Sequence, residues 1–565
     1  MRRPATESWN QGALRRGLAV LALGLALVHC GSSDDDAGTG ATAGATPSGV
    51  TATASGVGGA GTGGATGTGG AVGGAGAATG SGGATTGSGG TVAGSGGAAT
   101  GAGGPSGGSG GTGGSGGGVI SDDFVGDVEI TVLDFARTVL EVTWTQTTAA
   151  DETWLEFTFE EGNVMTSPRK SGEASEHREV VLGVPGETDV TIRVVSSQGG
   201  MEYKTSDYMG TTGTVPAGMP APEVIAYDPE LASDDRWMFG AVEDSDGGCA
   251  SQACFYHTTF WLYIMDRQGR IVWYYADAAS NATSSFQRIA RDGQYIWIEK
   301  RPFSSGGSRS VLKMTLDREY MVEIGVPNLS DCIDVTDDGS LLYDTTLGGG
   351  QYELREMNAE GDVRPIWNCR DTFPSPFQCY SNTVNWNEAD GTVLLSFPDE
   401  NTVVEIDRDS GDVVGQYGDA PGSWAFSPDT WEFEFQHFAN ITPEGTLLVS
   451  SHMPGYEDTR SPVAGQHAFM EFERDSDAET LIYKWHYQGG DTEWAMFKGM
   501  AIRLPNGNTL GNYGTGGVIK EVTEDKQVAF HVKFDVEEGN DFFNKMVGHN
   551  VLIDDLYALN GGGPD

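Results

Sequence analysis

The sequence has few cysteines, few basic residues and only a short apolar run. Its 565 residues include 6 Cys, and 33 Lys and Arg stand against 79 Asp and Glu, for a formal net charge of -46. This negative charge argues against nucleic acid and anionic lipid surfaces as electrostatic partners. The apolar run at residues 17–28 is too short to span a bilayer, which needs about 20 residues. Any anionic ligand must therefore be held by a local basic pocket.

The apolar run has the features of a signal peptide. Arg15 and Arg16 precede it, and Cys30 follows it closely. A cysteine followed by Gly31 and a flexible polar stretch resembles the lipobox of bacterial lipoproteins, although His29 replaces the usual small residue. We therefore expect a signal peptide at residues 1–30, lipid attachment at Cys30, and an extracytoplasmic protein anchored to the bacterial cell envelope, at the outer membrane or cell surface. Secretion without lipid and a cytoplasmic location are the alternatives.

A low-complexity segment follows the cysteine. Residues 37–118 are almost wholly Gly, Ala, Thr and Ser, with no charged or aromatic side chain. Such a composition cannot bury enough apolar surface to offset the entropy lost on ordering. We therefore expect residues 31–118 to be a disordered linker.

The other cysteines are typical of an oxidising compartment. Cys249 and Cys254 bracket one short loop, and Cys369 and Cys379 bracket another, which predicts two local disulfides and leaves Cys332 as a thiol. A zinc site is the rival interpretation. It needs about four ligands, and no further His or Cys lies at the usual spacing. We expect no metal site.

Residues 119–218 predict a small β-sandwich. Short segments of alternating apolar and polar residues follow one another between polar turns, namely VEITVLDF, TVLEVTWTQ, WLEFTFEE, REVVLGV and DVTIRVVSS. The run resembles an immunoglobulin or fibronectin III module, with Trp144 between the sheets and no cysteine. The Pro-containing segment VPAGMPAPEV marks its end.

Residues 219–565 predict a β-propeller, so the fold class is all-β. Turn glycines preceded by Asp, Glu or Asn recur with a period near 50 residues, at Gly293, Gly339, Gly391, Gly445 and Gly507. With the opening strands FWLYIMDRQGRIVWYY, this spacing predicts six blades, and the final NVLIDDLYAL helps to close the ring. Within this region, the segment from Tyr380 to Gly418 has the turns and alternating strands of one complete blade.

This blade also resembles part of the bacterial arylsulfotransferases. Asn382 matches the family, whereas Tyr380 and Pro398 stand in place of a His and an Arg. In a second segment, SDCIDVTDDGSLLYD, Asp334 matches, and Cys332 and its neighbour replace two histidines.

Two further segments extend the resemblance to the arylsulfotransferases. In FQHFANITPEGTLLVSS, Gln436 and His437 match, whereas Phe438 replaces an Asp. The segment KGMAIRLPNGNTLGNYGTGGVIKEV is the most similar of the four. The chain is identified by these segments as a divergent member of the family, with most catalytic positions substituted.

The resemblance implies sulfuryl transfer from an aryl sulfate to a phenol, without nucleotide or other cofactor. His437 would be the nucleophile, because a neutral imidazole can attack sulfur. Side chains that could assist or bind the ligand in the funnel are Tyr380, Asn382, Gln436, Cys332, Asp334, His452, His467, Lys498, Arg503 and His549.

Each of these assignments has a structural alternative. His437 could be a hydrogen-bonded structural histidine, Cys332 a buried apolar side chain, and Lys498 a solvated surface cation. The whole chain could be a catalytically inactive module that binds a ligand or a protein. A third hypothesis, a quinone-dependent dehydrogenase, requires eight blades rather than six.

Overall fold

The computed structural model describes residues 118–244, 259–276, 282–283, 287–289, 293–302, 309–347, 352–428, 431–452, 467–489, 495, 498–534 and 546–560. The predicted signal peptide with Cys30, the predicted linker up to residue 117, and the predicted Cys249–Cys254 disulfide lie outside these residues. Across the described ranges, no helix has the length and apolar character needed to cross a membrane.

The first part of the described chain consists of ten strands. They are β1 Val119–Ile120, β2 Val125–Val132, β3 Leu140–Gln146, β4 Glu152–Glu160, β5 Asn163–Thr166, β6 Lys170–Ser171, β7 Glu176–Val181, β8 Asp189–Gln198, β9 Met201–Lys204 and β10 Tyr208–Thr211. One sheet has the order β1-β9-β8-β4-β5, with β10 paired to β8 and β6 to β4, and the other has the order β2-β3-β7. In β3 every second residue is buried, including Trp144, as its alternating sequence predicts.

The rest of the described chain is also built almost wholly of strands. They are β11 Pro222–Tyr227, β12 Trp237–Asp244, β13 Thr259–Asp266, β14 Ile271–Ala276, β15 Ala282–Thr283, β16 Gln287–Ile289, β17 Ile296–Pro302, β18 Ser310–Met314, β19 Met321–Gly325, β20 Leu329–Val335, β21 Leu341–Thr346, β22 Tyr352–Met357, β23 Val363–Asn368, β24 Thr383–Asn387, β25 Thr392–Phe397, β26 Thr402–Asp407, β27 Val413–Gly418, β28 Ala425–Phe426, β29 Phe438–Ile441, β30 Leu447–His452, β31 His467–Asp475, β32 Thr480–Gln488, β33 Met500–Arg503, β34 Thr509–Asn512, β35 Val518–Val522, β36 Val528–Phe534 and β37 Val547–Ile553. The single described α-helix is α1, Cys369–Thr372, and short 3-10 turns occur at Pro398–Glu400, Gly514–Gly516 and Tyr557–Asn560.

These strands form a β-propeller-like, all-β arrangement of antiparallel sheets. The sheet orders are β37-β12-β13-β14, β16-β17-β18-β19, β20-β21-β22-β23, β24-β25-β26-β27, β29-β30-β31-β32 and β33-β34-β35-β36. Strands β15, β28 and β11 add to the second, fifth and sixth of these sheets. The meander predicted around the Asp390-Gly391 turn is confirmed as β24 to β27.

The first strands of neighbouring sheets lie against one another, except that the sixth sheet contacts β37 through its second strand, β34. Contacts link β16 with β20, β20 with β24, β24 with β29, β29 with β33, β34 with β37, and β37 with β16. The C-terminal β37 also pairs with β12, and β11 pairs with β36. Strands from both ends of this region therefore complete sheets whose other members are distant in sequence.

Side-chain amides and buried ion pairs join neighbouring sheets. The Nδ2 group of Asn385 donates to the carbonyl of Ala439 at 2.7 Å, and that of Asn440 donates to the carbonyl of Ala501 at 2.7 Å. Arginines near the ends of the third strands bind glutamates of the preceding sheet, in the pairs Arg408–Glu356, Arg474–Glu405 and Arg267–Glu521. Hydrogen bonds and ion pairs thus supplement the apolar packing between sheets.

The N-terminal sheets pack against the sheets formed by β12 to β19. One hydrophobic cluster includes Trp144, Trp273 and Tyr557. The Tyr557 hydroxyl donates to the Val180 carbonyl at 2.8 Å. The N-terminal sheets are therefore held against the chain's last described turn.

Candidate functional site

The connections between strands differ in length at the two ends of the propeller-like sheets. At one end, residues 442–446 and 504–508 make short turns, whereas residues 369–382 form a longer connection between β23 and β24 at the other end. Long loops on a rigid scaffold are where binding and catalytic groups concentrate. The end with the longer connection is therefore where a functional site is expected.

Three histidines lie together at this end. His437 directly precedes β29, while His452 ends β30 and His467 begins β31, where the two residues pair directly in the antiparallel register. The rings of His452 and His467 pack edge to face, with centroids 5.1 Å apart. The backbone N–H of His437 donates to the carbonyl of Ser450 at 2.9 Å. We call His437, His452 and His467 the histidine cluster.

Ser450 and Gly499 pack against His467, the buried member of the histidine cluster. Ser450 Oγ lies 2.9 Å from His467 Nε2, and both residues are fully buried. A Cβ atom at Gly499 would lie 2.7 Å from Ser450 Oγ and would also clash with the His467 ring. Gly499 has φ of 107°, so this position requires glycine for both space and backbone conformation.

The two remaining members of the histidine cluster keep part of their surface accessible. His437 and His452 are partly exposed as whole residues, although the Nδ1 atom of His437 is buried. Burial, followed by the charge of Lys498 and by His452, holds the pKa of His437 well below its usual range. Burial lowers the pKa of His452 to about 4. Burial also holds the pKa of His467 well below its usual range. All three imidazoles are therefore neutral near pH 7.

Backbone conformations that side chains rarely adopt flank the histidine cluster. Phe435 has φ of 46° and Lys498 has φ of 63°, both in the left-handed region. Such conformations cost about 1–3 kcal/mol and persist where the surroundings enforce them, often at functional sites. The turn at Lys498 and Gly499 brings a cation close enough to His437 to lower its pKa.

Two predicted site residues next to His437 are buried and hydrogen-bonded to neighbouring backbone. Asn382 Nδ2 donates to the Gln436 carbonyl at 3.0 Å. Gln436 Nε2 donates to the carbonyls of Phe397 and Thr402 at 3.1 and 2.9 Å. Both amides therefore fix the chain at Gln436, directly before His437.

Other predicted residues lie on neighbouring sheets rather than in the histidine cluster. Asp334 Oδ2 accepts from the backbone N–H of Trp386 at 2.8 Å and so joins β20 to β24. Cys332 has a buried thiol in an apolar cluster that also contains Cys369 and Cys379. The predicted disulfide between those last two cysteines is confirmed.

The remaining candidates divide between the site and the scaffold. Tyr380 is partly buried just before β24, and Pro398 begins a 3-10 turn. The His549 ring packs edge to face on Phe438, the residue that follows His437, with ring centroids 5.0 Å apart. Arg503 forms an ion pair with buried Glu471 on β31 and therefore serves the contact between sheets.

The arrangement suits nucleophilic and acid–base chemistry. Neutral imidazoles can attack an electrophile or accept a proton, and Lys498 can compensate negative charge on a ligand. In the part of the chain that the structure describes, no three His, Cys, Asp or Glu side chains are grouped to hold a metal ion. Ser450 and Gly499 were not among the residues predicted from sequence, because their role depends on the packing of the residue 499 turn against β30.

No protein-family model and no curated protein matches the sequence. Among solved structures, a streptogramin B lyase is 13% identical with a TM-score of 0.32, over 58% of this chain and 91% of that protein. Virginiamycin B lyase from Staphylococcus aureus is 11% identical with a TM-score of 0.29, over 46% and 71% of the two chains. Hsv2p from Kluyveromyces lactis is 10% identical with a TM-score of 0.29, over 63% and 94%. With TM-scores below 0.5, none of them informs the chemistry of the site.

Proposed function

We propose that residues 219–565 form a six-bladed β-propeller and that residues 119–218 form an immunoglobulin or fibronectin III-like sandwich. The six meander sheets and the contacts that link each of them to the next support the blade count. The pairing of β37 with β12 would close the ring. For the sandwich, the support is a pair of sheets whose alternating strands bury Trp144.

We further propose that the chain transfers a sulfuryl group from an aryl sulfate to a phenol through His437. The observation that carries this proposal is the position of His437, a partly exposed residue in the histidine cluster, beside the Lys498 cation that helps to hold its pKa low. A neutral imidazole has one ring nitrogen that acts as an acceptor, and in the proposed reaction that nitrogen would attack sulfur. A sulfate ester is an anion, so one local cation inside a strongly acidic protein would select and orient it.

The proposed first step uses only groups of this chain. A His437 ring nitrogen attacks sulfur, the sulfur–oxygen bond to the aryl group breaks, and the phenolate leaves. Lys498 offsets the charge of the sulfuryl oxygens during transfer. Removing one such electrostatic donor commonly costs about 2.7–4 kcal/mol, or roughly 100- to 1000-fold in rate.

The cellular setting belongs to the same proposal. Lipid attachment at Cys30 would anchor the protein to the cell envelope, and the segment at residues 31–118 would carry the folded part away from the lipid. The expected ligand is a small aromatic sulfate or phenol, with no cofactor. Labelling cells with a clickable fatty acid tests the anchor, because Cys30→Ala should abolish incorporation, and persistent incorporation would contradict it.

Turnover of 4-nitrophenyl sulfate with a phenol acceptor tests the proposed activity. The full-length chain should release 4-nitrophenolate, His437→Ala should abolish release, and Lys498→Met should slow it at least 100-fold. Lys526→Met is the matched control, because Lys526 is an exposed lysine with a similar φ of 66°. Release that survives in His437→Ala would refute the role of His437.

A catalytically inactive binding module is the second candidate function. It is favoured by the use of Asn382, Gln436 and Asp334 in hydrogen bonds to backbone, since these positions match the family's site. In that case an aryl sulfate would bind the wild-type chain in calorimetry, Lys498→Met would weaken binding, and no 4-nitrophenolate would appear.

A further inference from the structure

The histidine cluster contains two partly exposed histidines rather than one. His437 and His452 each retain accessible surface, whereas His467 is fully buried behind them. The backbone N–H of His437 donates to the carbonyl of Ser450 at 2.9 Å, and His452 lies two residues further along the same strand, β30. A ligand atom bound at His437 would therefore lie near a second nitrogen base.

His452 is held in one orientation by its surroundings. Its ring packs edge to face on His467 at 5.1 Å, and His467 is in turn held by Ser450 Oγ. One ring nitrogen of His452 hydrogen-bonds to the backbone of Ala495. The other nitrogen carries the lone pair, because a neutral imidazole has one donor and one acceptor.

We propose that His452 is the general base of the second half-reaction, in which the acceptor hydroxyl takes the sulfuryl group. This inference rests on the proposed function. The His452 lone pair takes the hydroxyl proton while the acceptor oxygen forms a bond to sulfur. The nitrogen–sulfur bond to His437 breaks, its electron pair returns to the His437 ring, and His452 then releases its proton to solvent.

The neighbouring groups are less suited to this step. His437 carries the sulfuryl group at that stage, His467 is fully buried, and Lys498 is a cation. An ordinary phenol has a pKa of about 10 and is almost wholly protonated near neutral pH. A positioned base contributes typically about 100- to 10,000-fold to such proton transfers, and because the lowered pKa of His452 makes it a weak base, we expect the lower end of that range.

The role of His452 also predicts which half-reaction needs it. A good leaving group such as 4-nitrophenolate departs without a proton, so formation of the sulfuryl-enzyme does not require His452. Transfer to a weakly acidic phenol does. The two half-reactions therefore separate the two histidines.

Rapid mixing of the full-length chain with 4-nitrophenyl sulfate tests the proposal. We expect His452→Gln and His452→Ala to keep the stoichiometric burst of 4-nitrophenolate and to lose about 100-fold or more in steady-state transfer to phenol. The loss should be smaller for acceptors of lower pKa, and added imidazole should partly rescue His452→Ala. Thermal unfolding of both variants checks that they are folded.

The outcomes distinguish this inference from the proposed function. A wild-type burst, together with His452 variants that transfer to phenol at the wild-type rate, would overturn the role of His452 alone. A burst lost in His452→Gln while the variant remains folded would also overturn it, because His452 would then act in the first step. No burst in the wild-type chain would overturn the proposed function and this inference with it.

Discussion

Removal of the Arg474 charge would leave a carboxylate buried without its ionic partner. Arg474 Nη1 on β31 lies 2.7 Å from Glu405 Oε2 on β26, and the Glu405 side chain is 4% exposed. Breaking one side of a buried pair costs about 3–5 kcal/mol. The hydroxyls of Thr392 and Tyr417 still donate to Glu405, at 2.8 and 2.6 Å. We therefore expect Arg474→Met to lower the free energy of unfolding by about 3 kcal/mol, the lower limit of that range.

Urea unfolding followed by tryptophan fluorescence measures this loss. The matched control is Arg169→Met, since the Arg169–Glu152 pair is 51% and 45% exposed and such pairs contribute less than about 1 kcal/mol. The double change Arg474→Met with Glu405→Gln should recover part of the loss, because no buried charge remains. Equal shifts of the urea midpoint in the Arg474 and Arg169 variants would refute this reasoning.

Three further predictions concern stability. Burial lowers the pKa values of the histidine cluster in the folded chain, so the unfolded chain binds more protons below about pH 6.5. The urea midpoint should therefore fall as the pH decreases from 6.5 towards 4, and a midpoint that stays unchanged would contradict this prediction. Gly499→Ala should lower the melting temperature more than Gly507→Ala, where a Cβ meets no atom within 4 Å, and equal losses would contradict the clash. The paired change Cys369→Ser with Cys379→Ser should cost about 2–3 kcal/mol by urea unfolding, since the disulfide closes a loop of sequence separation 10, and no loss would contradict that role.

Much of the fold could be predicted from local patterns. The turn at Asp390-Gly391, the alternating residues after it and the turn ending at Gly411 predict a meander, and β24 to β27 follow it. Such strands can be predicted because the alternation of apolar and polar residues and the turn residues are both local features of the sequence.

Contacts between sheets could not be predicted in the same way. Arg474 and Glu405 are 69 residues apart, and which glutamate meets which arginine depends on the packing of one sheet on the next. The same holds for the candidate site. His437 was predicted from a resemblance, but its closeness to His452 and Lys498 depends on the register of β30 with β31 and on the turn at Gly499.

Trapping of the transferred group on His437 tests the central claim most directly. After brief mixing of the full-length chain with 4-nitrophenyl sulfate in the absence of acceptor, intact-protein mass spectrometry should show one added sulfuryl group. Peptide mapping should place it on His437, and a phenol should remove it. No adduct, or an adduct that persists in His437→Ala, would contradict the account.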